Sequence, residues 1–178
     1  VQTCALPISY IAAVTLAKAE CPWRSREEAD YEACMWKIAK AMEANLIKWK
    51  KMQKVRQTGT TMAALKFGRN YIFGMSLGDS RIYRMREGKL AQLSTDHTYR
   101  HPGHIRSALV GYIGTEYEDD FKKMDFYRLE YQKGDKYLLC TDGVTDMVRD
   151  EVLEEILQMP VADARGKMVD EINRMGAE

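Results

Sequence analysis

Tyr71-Ile72-Phe73-Gly74-Met75-Ser76-Leu77, Gly78-Asp79-Ser80, Arg81-Ile82-Tyr83-Arg84-Met85, Glu87-Gly88, Lys89-Leu90-Ala91-Gln92-Leu93 is the run whose reading decides the fold class. Three short apolar or alternating segments rich in β-branched and aromatic residues are separated by turn-forming Gly and Asp, which is the signature of strands. Upstream, Thr60 to Phe67 reads as another strand, with Gly68-Arg69-Asn70 as the turn into Tyr71. Downstream, Phe126 to Tyr131 and Lys136 to Thr141 read as two more, with Gly134-Asp135 as a hairpin turn between them. Consecutive strands with tight turns predict an antiparallel meander; parallel strands need crossover connections of a dozen residues or more.

The strands are flanked by helical sequence. Ser9 to Ala19 favours helix, closed by Pro22. Ser25 and Glu28 have capping-box spacing, and Ala29, Ala33, Trp36, Ile38, Ala41, Leu46 and Trp49 predict an amphipathic helix to about Lys54. Beyond Ser94 a loop-rich region carries a short predicted helix near Ile105 to Val110. After Asp142 the chain turns helical through Glu151 to Leu157, then again from about Val161 to Met175. This order predicts an α+β layered domain.

Composition bounds the function. The chain has 178 residues, long enough for one domain with a real core. Lys+Arg total 27 against Asp+Glu 26, without the basic surplus of a nucleic-acid or anionic-membrane binder. No apolar run approaches the roughly 18 residues of a membrane span. Cys4, Cys21, Cys34 and Cys140 form no C-x-x-C pair, and the expectation is free thiols in a cytoplasmic protein. Residues 1–8 resemble a sequencing adapter translated in one frame, and are set apart from the domain expected over 9–178.

Four stretches carry a resemblance: Gly59-Thr60-Thr61; Gly78-Asp79-Ser80-Arg81-Ile82-Tyr83; Leu93-Ser94-Thr95-Asp96-His97; and Gly134-Asp135 leading into Leu138-Leu139-Cys140-Thr141-Asp142-Gly143-Val144-Thr145-Asp146. In this order and spacing the chain resembles the metal-dependent PPM (type 2C) protein serine/threonine phosphatases of bacterial type. The resemblance implies a four-layer α/β/β/α sandwich of two antiparallel sheets. It also implies hydrolysis of phosphoserine and phosphothreonine by water activated on two Mn²⁺ or Mg²⁺ ions, with a possible third, weaker ion. The implied partners are phosphoprotein substrates of a serine/threonine kinase, with no nucleic acid and no membrane. The alternatives are a pseudophosphatase that binds phosphoprotein without turnover, and a generic interaction domain.

Carried over, Asp142 matches the family's metal-binding aspartate after a buried strand; the competing reading is a plain Asp-Gly turn. Asp79 matches an aspartate that helps to hold the third ion, against a role as turn residue. Asp146 is expected to cap the next helix, Arg81 to pair with a carboxylate, and Gly59-Thr60-Thr61 to pack a central strand. The family's first metal aspartates, its phosphate-binding arginine and a later Asp-Asn pair have no counterpart here. The expectation is therefore a fragment cut at both ends, without catalytic residues of its own and nearly inactive. His97, His101 and His104 with Asp96 have zinc-like spacing, but Pro102-Gly103 would break an aligning helix, and no structural metal is expected there. The basic run Lys48, Lys50, Lys51, Lys54 and Arg56 around Trp49 reads as a solvated helix face, and the scattered Met residues as core filler.

Overall fold

The structure, a computed structural model, describes residues 12, 14, 28–56, 58–68, 71–99, 107–115, 117 and 121–176. The expectations at Ser9, Pro22, Ser25, His101, His104 and residues 1–8 fall outside them.

Helix α1 spans Glu28–Gln53. Its buried stripe is Met35, Ile38, Ala39, Met42 and Leu46, the i, i+3, i+4, i+7 spacing of one helix face. Ala33 and Ala41, counted as apolar positions in the sequence, are exposed. Ala33 and Ala41 lie off this stripe at 100° per residue, whereas Ala39, on it, is fully buried. Lys50 is also off the expected solvated face: it is buried, and its Nζ donates to the Gly114 carbonyl at 2.6 Å.

The strands are β1 (Met62–Phe67), β2 (Tyr71–Leu77), β3 (Arg81–Arg86), β4 (Lys89–Gln92), β5 (Thr98–Tyr99), β6 (Ala108–Leu109), β7 (Asp125–Glu130) and β8 (Lys136–Cys140). They form two antiparallel three-stranded sheets, ordered β1-β2-β7 and β4-β3-β8, and a separate β5-β6 pair. The meander expectation holds for β1-β2 and β3-β4. It fails at Gly78-Asp79-Ser80 and at residues 131–135, where the chain leaves one sheet for the other. Gly134-Asp135 is thus a sheet-crossing turn and not a hairpin. The physical reason is which layer each strand serves. Met75 and Leu77 of β2 pack under α1, whereas Tyr83 and Met85 of β3 pack on the opposite side of the molecule. The helix expected near Ile105 to Val110 is, over its described part, strand β6 paired to β5. Thr60 lies outside β1 and makes only an isolated bridge to Ile113, and β1 is an edge strand among the described residues.

Helices α2 (Asp142–Thr145), α3 (Asp150–Gln158) and α4 (Val161–Gly176) follow β8. Leu153, Ile156, Leu157, Ala164 and Met168 join Tyr83, Met85 and Cys140 in the second core. The facing sides of the two sheets meet where the Phe67 and Tyr137 rings stand edge to face at 5.7 Å. The result is the expected four-layer α/β/β/α sandwich, with α1 outside one sheet and α3 and α4 outside the other. Cys140 is a free buried thiol, whereas Cys34 is disulfide-bonded, which corrects the expectation of four free thiols.

Candidate functional site

The β3–β8 register builds the site. Arg81 and Cys140 are antiparallel partners. Two residues before Arg81 is Asp79, and two residues after Cys140 is Asp142. In an antiparallel pair these steps run off the same end, so both aspartates emerge at one edge of the sandwich. Burial, and then the negative charge of Asp142, push the Asp79 carboxyl above its ordinary value; Asp96 and Asp146 add in the same sense. Asp142 is exposed at the first position of α2, and its Oδ1 accepts the Gly143 N–H at 2.9 Å. This is the chemistry of a carboxylate cluster short of positive charge: a hard divalent cation would relieve the repulsion, and Asp79 and Asp142 are the side chains that could hold it. Among the described residues no group of three or more His, Cys, Asp or Glu is arranged to hold a metal ion.

The other motifs close around this edge. Thr61 Oγ1 and Ser80 Oγ share a hydrogen bond at 2.8 Å, tying the Gly59-Thr60-Thr61 stretch to the Asp79 turn. Gly59 is required sterically: a Cβ there would lie 2.2 Å from the Tyr112 ring. Arg81 makes the expected carboxylate pair with Asp96, through Nε at 3.0 Å and Nη2 at 2.6 Å. Its Nη1 donates to Tyr83 Oη, which donates in turn to Asp150 Oδ1 at 2.9 Å. Tyr83 is fully buried, and that burial pushes its phenol up to about 12. The Ser94 hydroxyl, also buried, accepts the Ile82 N–H at 2.9 Å. Asp146 does not cap the following helix. It is the C-cap of α2, its N–H donating to the Asp142 carbonyl, and Arg149 holds the N-cap position of α3.

Sequence reasoning set His97 aside as a loop histidine. In the structure it contacts the Asp79 turn directly: Gly78 N–H donates to His97 Nδ1 at 3.1 Å, and His97 N–H donates to the Gly78 carbonyl at 2.9 Å. Tyr83 and Asp150 were missed as well. Nothing local in the sequence marks a partnership across 67 positions.

Two antiparallel sheets joined by a Gly-Asp-Ser turn, with an aspartate pair at one end, make an α/β/β/α sandwich with a carboxylate-bearing edge. The family model described as protein phosphatase 2C matches residues 9–171, and the chain belongs to that family. It is 34% identical over 131 residues to the serine/threonine protein phosphatase PstP of Mycobacterium tuberculosis, which covers 63% of this chain and 24% of that protein. It is 31% identical over 114 residues to the serine/threonine phosphatase stp of Listeria monocytogenes, covering 56% of this chain and 44% of that one. The chain therefore spans less than half the length of these curated relatives. Among solved structures it resembles the catalytic domain of PstP in complex with two manganese ions, with a TM-score of 0.75 and 26% identity over 96% of this chain and 75% of that one.

Proposed function

We propose that the protein to which this chain belongs removes phosphate from serine and threonine side chains of proteins, with Mn²⁺ or Mg²⁺ as cofactor. The observation that carries the proposal is the emergence of Asp79 and Asp142 from adjacent strands at one sheet end, where burial and then the charge of Asp142 raise the Asp79 carboxyl, in a chain of this family. The manganese-containing PstP structure supports the choice of ion. Asp142 would be a carboxylate ligand of the main centre and Asp79 a ligand of a weaker, third ion. When bound, such ions supply Lewis-acid activation of water for in-line attack at phosphorus. The chain's own contribution is to orient the donors. The Gly143 N–H holds Asp142 Oδ1 and leaves Oδ2 for an ion, and the Arg81–Asp96 pair anchors the strand that carries Asp79.

The substrates would be phosphoproteins made by a serine/threonine kinase in the cytoplasm. Residues 1–8 are proposed to be foreign to the domain over 9–178. No helix among the described residues is long and apolar enough to cross a membrane. The 178 residues alone would turn over poorly, because Asp79 and Asp142 are too few donors for ions that favour about six oxygens. The test is Mn²⁺-dependent hydrolysis of a phosphothreonine peptide by this chain and by the full gene product, each with and without Asp142→Asn. The reading expects an active full product silenced by the substitution and a weak chain. A full product that binds the peptide without hydrolysing it would instead make this a phosphoprotein-binding module.

A further inference from the structure

The contacts of His97 go beyond those of a loop residue. Its side chain is only 10% exposed, and it meets Gly78 on both sides of the backbone. The Gly78 N–H points at Nδ1, so that nitrogen must carry a lone pair and not a proton. The ring proton then sits on Nε2, which lies 3.3 Å from Asp125 Oδ2. Asp125 is itself held: Tyr127 Oη donates to the same Oδ2 at 3.2 Å and shares a hydrogen bond with Ser76 Oγ at 2.7 Å. Ser76 and Asp125 are the last pair of the β2–β7 register, so the contacts run from the end of that ladder to the turn that crosses to the other sheet.

Resting on the reading of Asp79 as an ion ligand, we propose that His97, held as the Nε2–H tautomer by the Gly78 N–H at Nδ1 and lying beside Asp125, is the positioning residue that sets the Gly78–Asp79 peptide and so aims the Asp79 carboxylate. The turn needs an external hold. Gly78 has φ +103°, outside the regular strand conformation, and the ladder bonds of β2 and β3 end on either side of it. His97 supplies two hydrogen bonds at that gap. Its own place is held by the β5–β6 segment, where Val110 N–H donates to the His97 carbonyl at 2.9 Å. A histidine suits the place because it accepts the Gly78 N–H at Nδ1 while its Nε2–H faces the Asp125 carboxylate. Asparagine can reproduce the Nδ1 acceptor with its Oδ1, and glutamine can reproduce the Nε2 donor, so the two substitutions separate the two contacts.

The experiment uses the ¹⁵N-labelled full gene product, which the proposed function expects to bind Mn²⁺. Long-range ¹H–¹⁵N correlation of the His97 imidazole is expected to show Nδ1 bare and Nε2 protonated; the reverse tautomer overturns the proposal. Mn²⁺ is then titrated while its paramagnetic broadening of the Asp79 amide is followed in wild type, His97→Asn and His97→Gln. His97→Gln is expected to weaken Mn²⁺ about tenfold, the scale of one lost hydrogen bond, and His97→Asn by less than about threefold. A merely structural histidine would lower the unfolding midpoint in both variants and leave the affinities equal, and equal affinities overturn the proposal. If Mn²⁺ broadens nothing in wild type, the metal reading of Asp79 fails separately. The Gly78 amide proton then decides the role of His97: moved upfield in His97→Gln and held in His97→Asn, it supports the proposal, and unmoved in both it refutes it.

Discussion

Gly78→Ala puts the strand-crossing turn under a load that the structure allows to be sized. Gly78 has φ +103°, where a side chain costs about 1–2 kcal/mol. A Cβ would also fall 2.4 Å from Thr61 Cγ2 and 2.8 Å from Thr61 Cβ, closer than atoms pack. Thr61 cannot rotate away freely, because its hydroxyl bonds Ser80 at 2.8 Å. Relieving such overpacking adds about 1–3 kcal/mol, for an expected loss of about 2–5 kcal/mol. With a urea slope near 2 kcal/mol per molar, the midpoint should fall by about 1–2.5 M. Gly88→Ala is the control: its φ is +78°, and a Cβ there would meet nothing within 4 Å, so only the backbone part should appear. Adding Thr61→Ser to Gly78→Ala deletes the nearest methyl and should return part of the loss. Equal midpoint shifts for Gly78→Ala and Gly88→Ala would refute the steric argument.

The Arg86 guanidinium, ahead of the Gln132 N–H and the Tyr137 hydroxyl, holds the Asp135 carboxyl well below the usual carboxylate range. A depressed carboxyl stabilises the fold fully above its unfolded value near 4, and that stability is lost as the pH falls toward the folded value. Urea midpoints measured from neutral to acid pH should therefore drop below about pH 4, and Asp135→Asn should flatten that limb. Tyr83→Phe leaves Arg81 Nη1 and Asp150 Oδ1 without their shared partner and should cost about 1–2 kcal/mol in chemical denaturation while the near-ultraviolet signal of the fold persists. Asp142→Asn removes the second-largest cause of the raised Asp79 carboxyl, so carboxyl ¹³C titration should move Asp79 down toward its ordinary value; no movement would mean that the two aspartates do not face one another.

The local code was legible in the chain. Alternating and apolar runs bounded by Gly and Asp marked β1 to β4, β7 and β8 to within a residue or two, because the period of two and the turn residues act over a few positions. The Asp79 and Asp142 candidates were also legible as motifs. Which strands pair was not. Leu77 and Arg81 are four positions apart yet belong to different sheets, and only the burial of Met75 under α1 and of Tyr83 under α3 separates them. The helical stripe was partly misplaced, since Met35, Ala39 and Met42 are buried while Ala33 and Ala41 are exposed, a matter of which helix face each position occupies that a list of apolar residues does not contain. The Arg81–Cys140 register that sets the two aspartates side by side, the Tyr83–Asp150 bond across the sheet and the grip of His97 on Gly78 depend on contacts between residues from 19 to 67 positions apart, counted from the Gly78–His97 and Tyr83–Asp150 bonds. Sequence by itself determined the elements and the chemical types available. Tertiary structure alone decided which of them meet, because meeting is settled by the joint burial of both cores and not by any residue's own preference.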